Sequence, residues 1–262
     1  MNKKEAESER LQAKTVYEVI QHEGEKEMRR PINSLWWSGF AAGLAISSSV
    51  AAQGMLHVLL PEGGWRLPLE YLGYCVGFII VILGRMQLFT ENTITPVLPI
   101  MANFSISSLI VMLKLWAVVL AANFAGTFVA ATFITIVGSA TAEQLAAFHE
   151  ISRHAILSGT PLGTLLLAIP AGFYVAALVW MLPSSNGFEV WIIIIMTYLI
   201  AIGGFAHVIV GSAEAFLLLL DGQVGVIHAF GGYLLPALVG NIIGGTALFS
   251  LLAYAQVRDE ID

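Results

Sequence analysis

An apolar run from Trp191 to Leu220 is the feature that most constrains this chain, because the tract Gly-Gly-Phe-Ala-His at residues 203–207 interrupts it in the middle. The run is 30 residues long, whereas about 20 apolar residues suffice to cross a bilayer as a helix. A charged side chain at the bilayer centre costs about 2.5–3.5 kcal/mol on insertion scales, so an ionisable residue there normally faces a cavity or a partner. We therefore interpret the run as an interrupted transmembrane segment and the break at His207 as part of a permeation pathway.

The composition is that of a membrane domain. Of the 262 residues, 57% are hydrophobic and 11% are charged, and the mean hydropathy is +0.80. These values exclude an ordinary soluble domain. A basic patch interleaved with aromatic residues is absent from the sequence, so nucleic-acid binding is not supported.

Six apolar segments can be drawn, and the second and fifth are interrupted. They cover roughly residues 35–56, 69–101, 107–137, 162–182, 190–220 and 226–257. The domain organisation predicted from them is a cytoplasmic N-terminal tail or amphipathic helix over 1–33, a transmembrane transporter domain over 34–257 and a cytoplasmic C-terminal end over 258–262.

The distribution of basic residues predicts the orientation in the membrane. Six spans place both termini on one side, and that side holds nine Lys and Arg residues, against two on the opposite side. Basic residues favour the cytoplasmic side, so both termini are predicted to be cytoplasmic. The tail is predicted to form a solvated amphipathic helix lying on the membrane or the protein, with Leu11, Val16, Tyr17 and Ile20 on one face. A gating role for this helix is the alternative.

An internal repeat relates the first three segments to the last three. Asn123 and Gly126 of segment three match Asn241 and Gly244 of segment six, and the Ala-Gly pairs at 42–43 and 171–172 match between segments one and four. A repeat of three spans must be inverted in the membrane, and in such folds the paired broken helices meet at the midplane and form a site. The predicted fold is therefore all-α, with six transmembrane helices in an inverted 3+3 repeat and breaks in helices 2 and 5.

The first break, residues 84–93, gathers polar groups where a helix would otherwise continue through lipid. Backbone there must be buried in protein or line a cavity, because unsatisfied polar groups in hydrocarbon are very costly. We expect Thr90, Asn92 or Thr93 to cap the helix that follows, whose N-terminus would favour an anion. A surface loop between two short helices is the alternative.

His207 is the second candidate site residue, either as a hydrogen-bond donor to an anion or as a proton donor. A satisfied core histidine is the alternative, and neither a metal site nor a cofactor site is predicted. Arg85, Glu91 and Glu214 are expected to be paired at membrane depth, with Arg85 bound to one of the two acids. Leu88, Phe89, Phe78 and Ile200 flank the breaks, and they are either ordinary packing residues or dry constrictions of a pore.

The residues around the two breaks resemble those of the formate/nitrite transporter family. The tract Leu-Phe-Thr-Glu-Asn-Thr at 88–93 and the tract Gly-Phe-Ala-His at 204–207 are similar to the two broken-helix motifs of the family. The longer tract 88–99, together with Val-Gly-Ser-Ala-Glu at 210–214, resembles its YfdC-like branch.

The resemblance implies an aquaporin-like protomer with six spans, assembled as a pentamer with a separate pore in each subunit of an inner-membrane protein. It implies transport of small monovalent anions such as formate, nitrite or hydrosulfide. It also implies that Thr90 and His207 face the permeant between two hydrophobic slits, formed by Leu88 and Phe89 with Phe78 and Ile200 as further candidates.

The sequence departs from the family pattern at three places. The glutamate that precedes the central histidine in the best-studied carriers is Ala206 here, and the asparagine four residues after that histidine is Gly211. The lysine that attracts anions before span four is replaced by Ile156, with Arg153 and His154 nearby. These changes leave the scaffold intact and leave the permeant open.

The function predicted from these observations is proton-linked transport of small monovalent anions or weak acids through a pore in each protomer. A channel for neutral solutes or water is one alternative, and a membrane scaffold that carries no flux is another. An intramembrane enzyme is not predicted, since the sequence shows neither a Ser/His pair nor a carboxylate dyad at membrane depth.

Overall fold

The computed structural model describes residues 11–261, which are helical over most of their length and contain no β-strand. The α-helices are, in chain order, α1 (Ala13–Met28), α2 (Ile32–Ile46), α3 (Ser48–Leu59), α4 (Arg66–Leu83), α5 (Val97–Ala102), α6 (Ile106–Thr135), α7 (Ala142–Leu157), α8 (Pro161–Met181), α9 (Glu189–Ile202), α10 (Val208–Leu220), α11 (Leu235–Ile242) and α12 (Leu251–Val257). Short 3-10 turns cover Glu91–Thr93 and Leu182–Ser184. The π-helical stretches His228–Leu234 and Ile243–Ser250 join α11 and α12 into one rod.

Five helical stretches within the described range are long and apolar enough to cross a bilayer. They are Ile32–Leu59, Arg66–Leu83, Ile106–Thr135, Pro161–Ser184 and His228–Val257. The remaining apolar segment consists of two shorter helices, α9 and α10. The interrupted segments are thus the two that the sequence indicated, one between α4 and α5 and one between α9 and α10.

Helix starts follow from local sequence signals. The hydroxyl of Ser105 accepts a hydrogen bond from Ser108 N at the start of α6, at 3.1 Å. Thr141 and Gln144 form a reciprocal capping box at the start of α7. Thr160 caps α8 and is followed by a proline at the first helical position, where the missing N–H costs nothing.

Small residues bring pairs of spans into close contact in both halves of the chain. A Cβ on Gly43 of α2 would overlap the carbonyl oxygen of Asn123 in α6. A Cβ on Gly172 of α8 would likewise overlap the carbonyl oxygen of Asn241 in α11. Small residues at such crossings let helix backbones approach closely in a membrane.

Helix α1 lies against the ends of the spans. Val16, Tyr17 and Ile20 are buried against Ile94, Leu98 and other residues, whereas Leu11 is exposed. The Tyr17 hydroxyl donates a hydrogen bond to Leu98 O at 3.2 Å, and burial raises the pKa of Tyr17 to about 12. The tail therefore forms the predicted helix and lies on the protein, which is one of the two predicted locations. Residues 1–10 of that prediction lie outside the described range.

Two sides of the molecule can now be named. The terminal side holds α1 and the end of α12, since Val257 packs with α1 in one apolar cluster. The far side holds the connectors 60–65 and 221–227 together with α7, which packs against α3 and α10. Helix α7 lies between the third and fourth apolar segments of the sequence.

His149 of α7 is another titratable group outside the spans whose pKa is perturbed. Its side chain is nearly buried, and its Nδ1 lies 3.7 Å from Oδ2 of Asp221. Desolvation lowers the pKa of His149, with a smaller opposing contribution from Asp221. The neutral imidazole is therefore the form that the fold favours.

Candidate functional site

Each interrupted segment turns sharply at a residue in the left-handed region of backbone space. Arg85 has a φ of 52° at the end of α4, and Gly204 has a φ of 61° at the end of α9. Both turns reverse the chain, so that residues 86–90 and 205–207 run back into the protein interior. Glycine adopts this conformation at little cost, whereas a residue with a Cβ is strained there.

Two buried asparagines hold the backbone of the two breaks in the same way. Asn123 Nδ2 donates to Gly39 O at 2.8 Å and to Gln87 O at 2.9 Å, and its Oδ1 accepts from Phe89 N at 2.9 Å. The backbone N–H and C=O groups of the non-helical break thereby find hydrogen-bond partners within the protein, which is necessary because the bilayer core offers none.

Asn241 repeats this arrangement at the second break. Its Nδ2 donates to Ala168 O at 2.8 Å and to Ala206 O at 2.9 Å, and its Oδ1 accepts from Val208 N at 2.9 Å. In the sequence, Asn123 and Asn241 are recognisable only as markers of a repeat. Their matching Asn-x-x-Gly context was the signal that could have identified them as the residues holding the breaks.

Thr90 and His207 connect the two breaks directly. Both side chains are buried, and Thr90 Oγ1 lies 2.8 Å from His207 Nε2. The residues come from positions 117 apart in sequence, so the bond forms only because both segments turn inward. The structure thus brings these two predicted site residues into direct contact.

The hydrogen bonds of His207 fix its tautomer. Val210 N donates to His207 Nδ1 at 3.2 Å, which makes the imidazole the N-cap of α10. Because Nδ1 accepts, Nε2 carries the hydrogen of the neutral ring and donates to Thr90 Oγ1. The hydroxyl hydrogen of Thr90 is then free to be donated to another group.

The apolar side chains expected near the breaks are all fully or almost fully buried. Phe78 packs edge-on against the His207 ring, with centroids 5.0 Å apart. Leu88 and Phe89 lie in the core, and Phe89 packs edge-on against Trp116 at 5.7 Å. Ile200 is the one of these four that lines the cavity described next.

A cavity of about 150 Å³ lies on the far side and reaches His207. Its polar lining includes Gln53, Tyr74, His154, His207, Glu214 and Tyr233. We refer to it as the far-side cavity. His207, Val210, Gly211 and Glu214 all line it, and their spacing of three and four residues places them on one face of α10.

The charged residues predicted at membrane depth are arranged differently from expectation. Arg85 binds neither Glu91 nor Glu214; its guanidinium lies 3.5 Å from Glu23 of α1, and its side chain is 82% exposed. The prediction failed because the chain reverses at Arg85 on the terminal side, which puts the side chain within reach of the docked tail.

Glu91 and Asn92 lie in the 3-10 turn at the end of the first break. Glu91 has one buried carboxylate oxygen without a hydrogen-bond partner. Asn92 Nδ2 donates to Gln87 Oε1 at 3.1 Å, and Gln87 Nε2 donates to Glu27 of α1 at 2.8 Å. Asn92 therefore supports the loop and links it to the docked tail.

The predicted caps of the helix after the first break are not formed. Helix α5 begins after Pro96 without a side-chain cap. The N–H groups of Val97 and Leu98 donate to Ile94 O instead, and the Thr93 hydroxyl donates to Thr90 O at 2.7 Å. A side-chain acceptor is therefore not needed at this helix start.

The departures from the family motifs have structural counterparts. A Cβ on Gly211 would overlap the ring of Tyr233, so the aromatic ring fills the space that a larger residue would take. Ile156 is buried, and Arg153 donates to Gln223 at the surface. Within residues 11–261, no lysine or arginine lines the far-side cavity.

Comparisons with known proteins agree with this architecture. Residues 14–255 match the sequence model described as "Formate/nitrite transporter". The chain is 39% identical over 249 residues to "Inner membrane protein YfdC" of Escherichia coli (strain K12), a match that covers 95% of this chain and 80% of that protein.

Two solved structures share the fold. One is described as "Pentameric formate channel with formate bound"; it has a TM-score of 0.72 and 19% identity, and the match covers 87% of this chain and 97% of that one. The other, "FNT family ion channel", has a TM-score of 0.74 and 16% identity, with 93% and 98% of the two chains covered. At these identities the likeness concerns the fold.

Proposed function

Because the chain belongs to the formate/nitrite transporter family, we propose that it conducts small monovalent anions of weak acids, such as formate or nitrite, through a pore in each protomer. The observation that carries this proposal is the Thr90–His207 hydrogen bond, in which His207 also lines the far-side cavity. One residue from each interrupted segment thus contributes to a single hydrogen-bond donor, the Thr90 hydroxyl, inside a largely apolar core.

The predicted 3+3 repeat is the architecture that we propose for the pore. The matched hydrogen bonds of Asn123 and Asn241 support it, as do the matched contacts of Gly43 and Gly172. Equivalent elements run from opposite sides of the membrane in such a repeat, which explains why both breaks turn inward to the same depth.

The proposed assembly is a homopentamer in the inner membrane with both termini in the cytoplasm. The pentameric formate channel of similar fold supports the stoichiometry, and the relative from E. coli supports the location. The excess of basic residues on the terminal side supports the orientation.

In the proposed mechanism, the anion gives up part of its hydration and accepts a hydrogen bond from Thr90. The Thr90 hydroxyl is available as a donor because His207 Nε2–H already donates to its oxygen. The N-terminal end of α10 lies at the same place and contributes a favourable partial charge. Leu88, Phe89, Phe78 and Ile200 would keep bulk water from this point.

The proposed transport is proton-linked, but His207 is not proposed to carry the proton. A second proton on the imidazole would have to bind Nδ1, which accepts from Val210 N. Protonation would therefore break the cap of α10. We assign to His207 the orientation of Thr90 and the stabilisation of the anion through the shared hydrogen bond.

A flux screen in proteoliposomes tests the proposed function. Formate, nitrite and hydrosulfide would each be measured with and without a pH gradient, and glycerol and water would serve as neutral solutes. We expect saturable anion flux that responds to the pH gradient. Flux of glycerol or water alone would establish a neutral-solute channel instead, and the absence of any flux would favour a scaffold.

A further inference from the structure

Glu214 is an ionisable residue that lines the far-side cavity and has no role in the transport mechanism proposed for Thr90 and His207. It follows His207 by seven residues, which is two turns or about 10 Å along α10. The residue is only 7% exposed, yet its side chain lines the cavity together with His207. Over residues 11–261, the structure assigns its carboxylate neither a salt bridge nor a hydrogen bond to protein.

Within the described part of the chain, the titratable groups that share the cavity with this carboxylate include no lysine or arginine. The remaining titratable residues lining the cavity are Tyr71 and Tyr74 of α4, His154 of α7, Tyr233 of the last span and His207 of α10 itself. Helix α3 contributes the neutral Gln53 to the lining. Helix α6 faces α10 with a hydroxyl pair, in which Thr127 Oγ1 lies 2.8 Å from Ser212 Oγ.

A buried carboxylate without a cationic partner is unfavourable at membrane depth. Its charge would also repel an anion in the same cavity. For charges roughly 6–8 Å apart at an effective dielectric constant of 20, this repulsion lowers anion occupancy about 30- to 100-fold. Addition of a proton to the carboxylate removes both penalties.

We propose that Glu214 is a proton-binding site of the permeation pathway, and that an anion occupies the far-side cavity only while this carboxyl group holds a proton. The proposal rests on the proposed anion transport. It places the proton on a carboxyl group that faces water-accessible space, rather than on His207, whose two ring nitrogens are already engaged.

The proton exchange involves only water. An O–H bond forms at a carboxylate oxygen of Glu214 as an O–H bond of a hydronium ion in the cavity breaks. The protonated carboxyl group can then donate a hydrogen bond to an anion that lies between Glu214 and Thr90. A cavity without lysine or arginine can then accept an anion, because the proton neutralises the carboxylate and turns it into a hydrogen-bond donor.

Equilibrium exchange of radiolabelled formate tests this proposal. Full-length wild-type protein, Glu214→Gln and the control Glu150→Gln would be reconstituted in liposomes at the same pH on both sides, so that protein orientation does not matter. Glu150 is a carboxylate of α7 whose side chain is 69% exposed, and it does not line the cavity.

The quantity to compare is the ratio of variant flux to wild-type flux, because the fraction of neutral formic acid cancels in that ratio. For Glu214→Gln we expect a ratio close to one in acid that rises as the pH increases, to roughly 30–100 when the wild-type carboxyl group is ionised. For Glu150→Gln the ratio should stay constant. A Glu214→Gln ratio that does not vary with pH would overturn the proposal.

Infrared difference spectroscopy provides a second test that does not require flux. The carbonyl band of a protonated carboxyl group should disappear on alkalinisation of the wild type, and Glu214→Asp should shift the midpoint of that change while Glu150→Gln does not. An unshifted midpoint in Glu214→Asp would contradict the proposal. If the wild type carries no formate, the proposed function fails, but these spectra still decide whether Glu214 binds a proton.

Discussion

Replacement of Asn241 by alanine tests whether the asparagine side chains hold the breaks together. The fully buried amide makes three backbone hydrogen bonds at 2.8–2.9 Å, two of them to Ala206 and Val208 at the second break and one to Ala168 of α8. Hydrogen bonds in membrane proteins average about 0.6 kcal/mol in double-mutant cycles, whereas a buried group left unsatisfied costs about 1–3 kcal/mol. Three lost bonds at about 0.6 kcal/mol each therefore predict a destabilisation of at least about 2 kcal/mol.

The assay is denaturant-induced unfolding of the detergent-solubilised protein, followed by far-ultraviolet circular dichroism. Asn103→Ala is the matched control, because Asn103 is exposed at the end of α5. Asn123→Ala should lose as much stability as Asn241→Ala, since its side chain makes the same three kinds of contact. If Asn241→Ala unfolds at the same denaturant concentration as Asn103→Ala, the side chain does not hold the break and the reasoning is refuted.

Three further predictions concern helix packing, backbone strain and pH. Gly172→Val should prevent assembly of the folded protein in size-exclusion chromatography, whereas Gly64→Val should not, since a Cβ there meets no atom within 4 Å. Arg85→Gly should raise the thermal unfolding temperature, because release of the positive φ is worth about 1–2 kcal/mol and exceeds the value of an exposed ion pair; a lower unfolding temperature would contradict the assigned strain. The pKa of His149 is lowered in the fold, so the unfolded chain binds the proton first, and stability should fall as the pH decreases below about 6.5. His149→Gln should weaken that pH dependence in thermal melts at pH values on both sides of that point, and an unchanged dependence would exclude His149 as its source.

Part of this architecture could be predicted from the sequence because the bilayer constrains it strongly. Apolar length fixes the spans, and the glycines at 203–204 and the polar tract at 84–93 mark the breaks, since neither can continue as a helix exposed to lipid. The sequence also predicted that the two breaks meet, but not that Thr90 and His207 themselves form a hydrogen bond.

The remaining features depend on packing that the sequence does not display. The docking of α1 requires the apolar surface that other segments form around Leu98, so its partner could not be read from residues 1–30. The ion pair of Arg85 with Glu23 followed from that docking. The contact of Tyr233 with Gly211 joins two spans whose relative rotation only the folded protein defines.

A double-mutant cycle on formate flux tests most directly the central claim that the two breaks form one site. Thr90→Val, His207→Leu and the double variant would be compared with wild type in liposomes, after the oligomeric state of each has been checked. Because the two side chains share one hydrogen bond at 2.8 Å, we predict that the double variant loses no more flux than the more impaired single variant. Losses that multiply in the double variant would show that Thr90 and His207 act independently, and would contradict a single site between the interrupted helices.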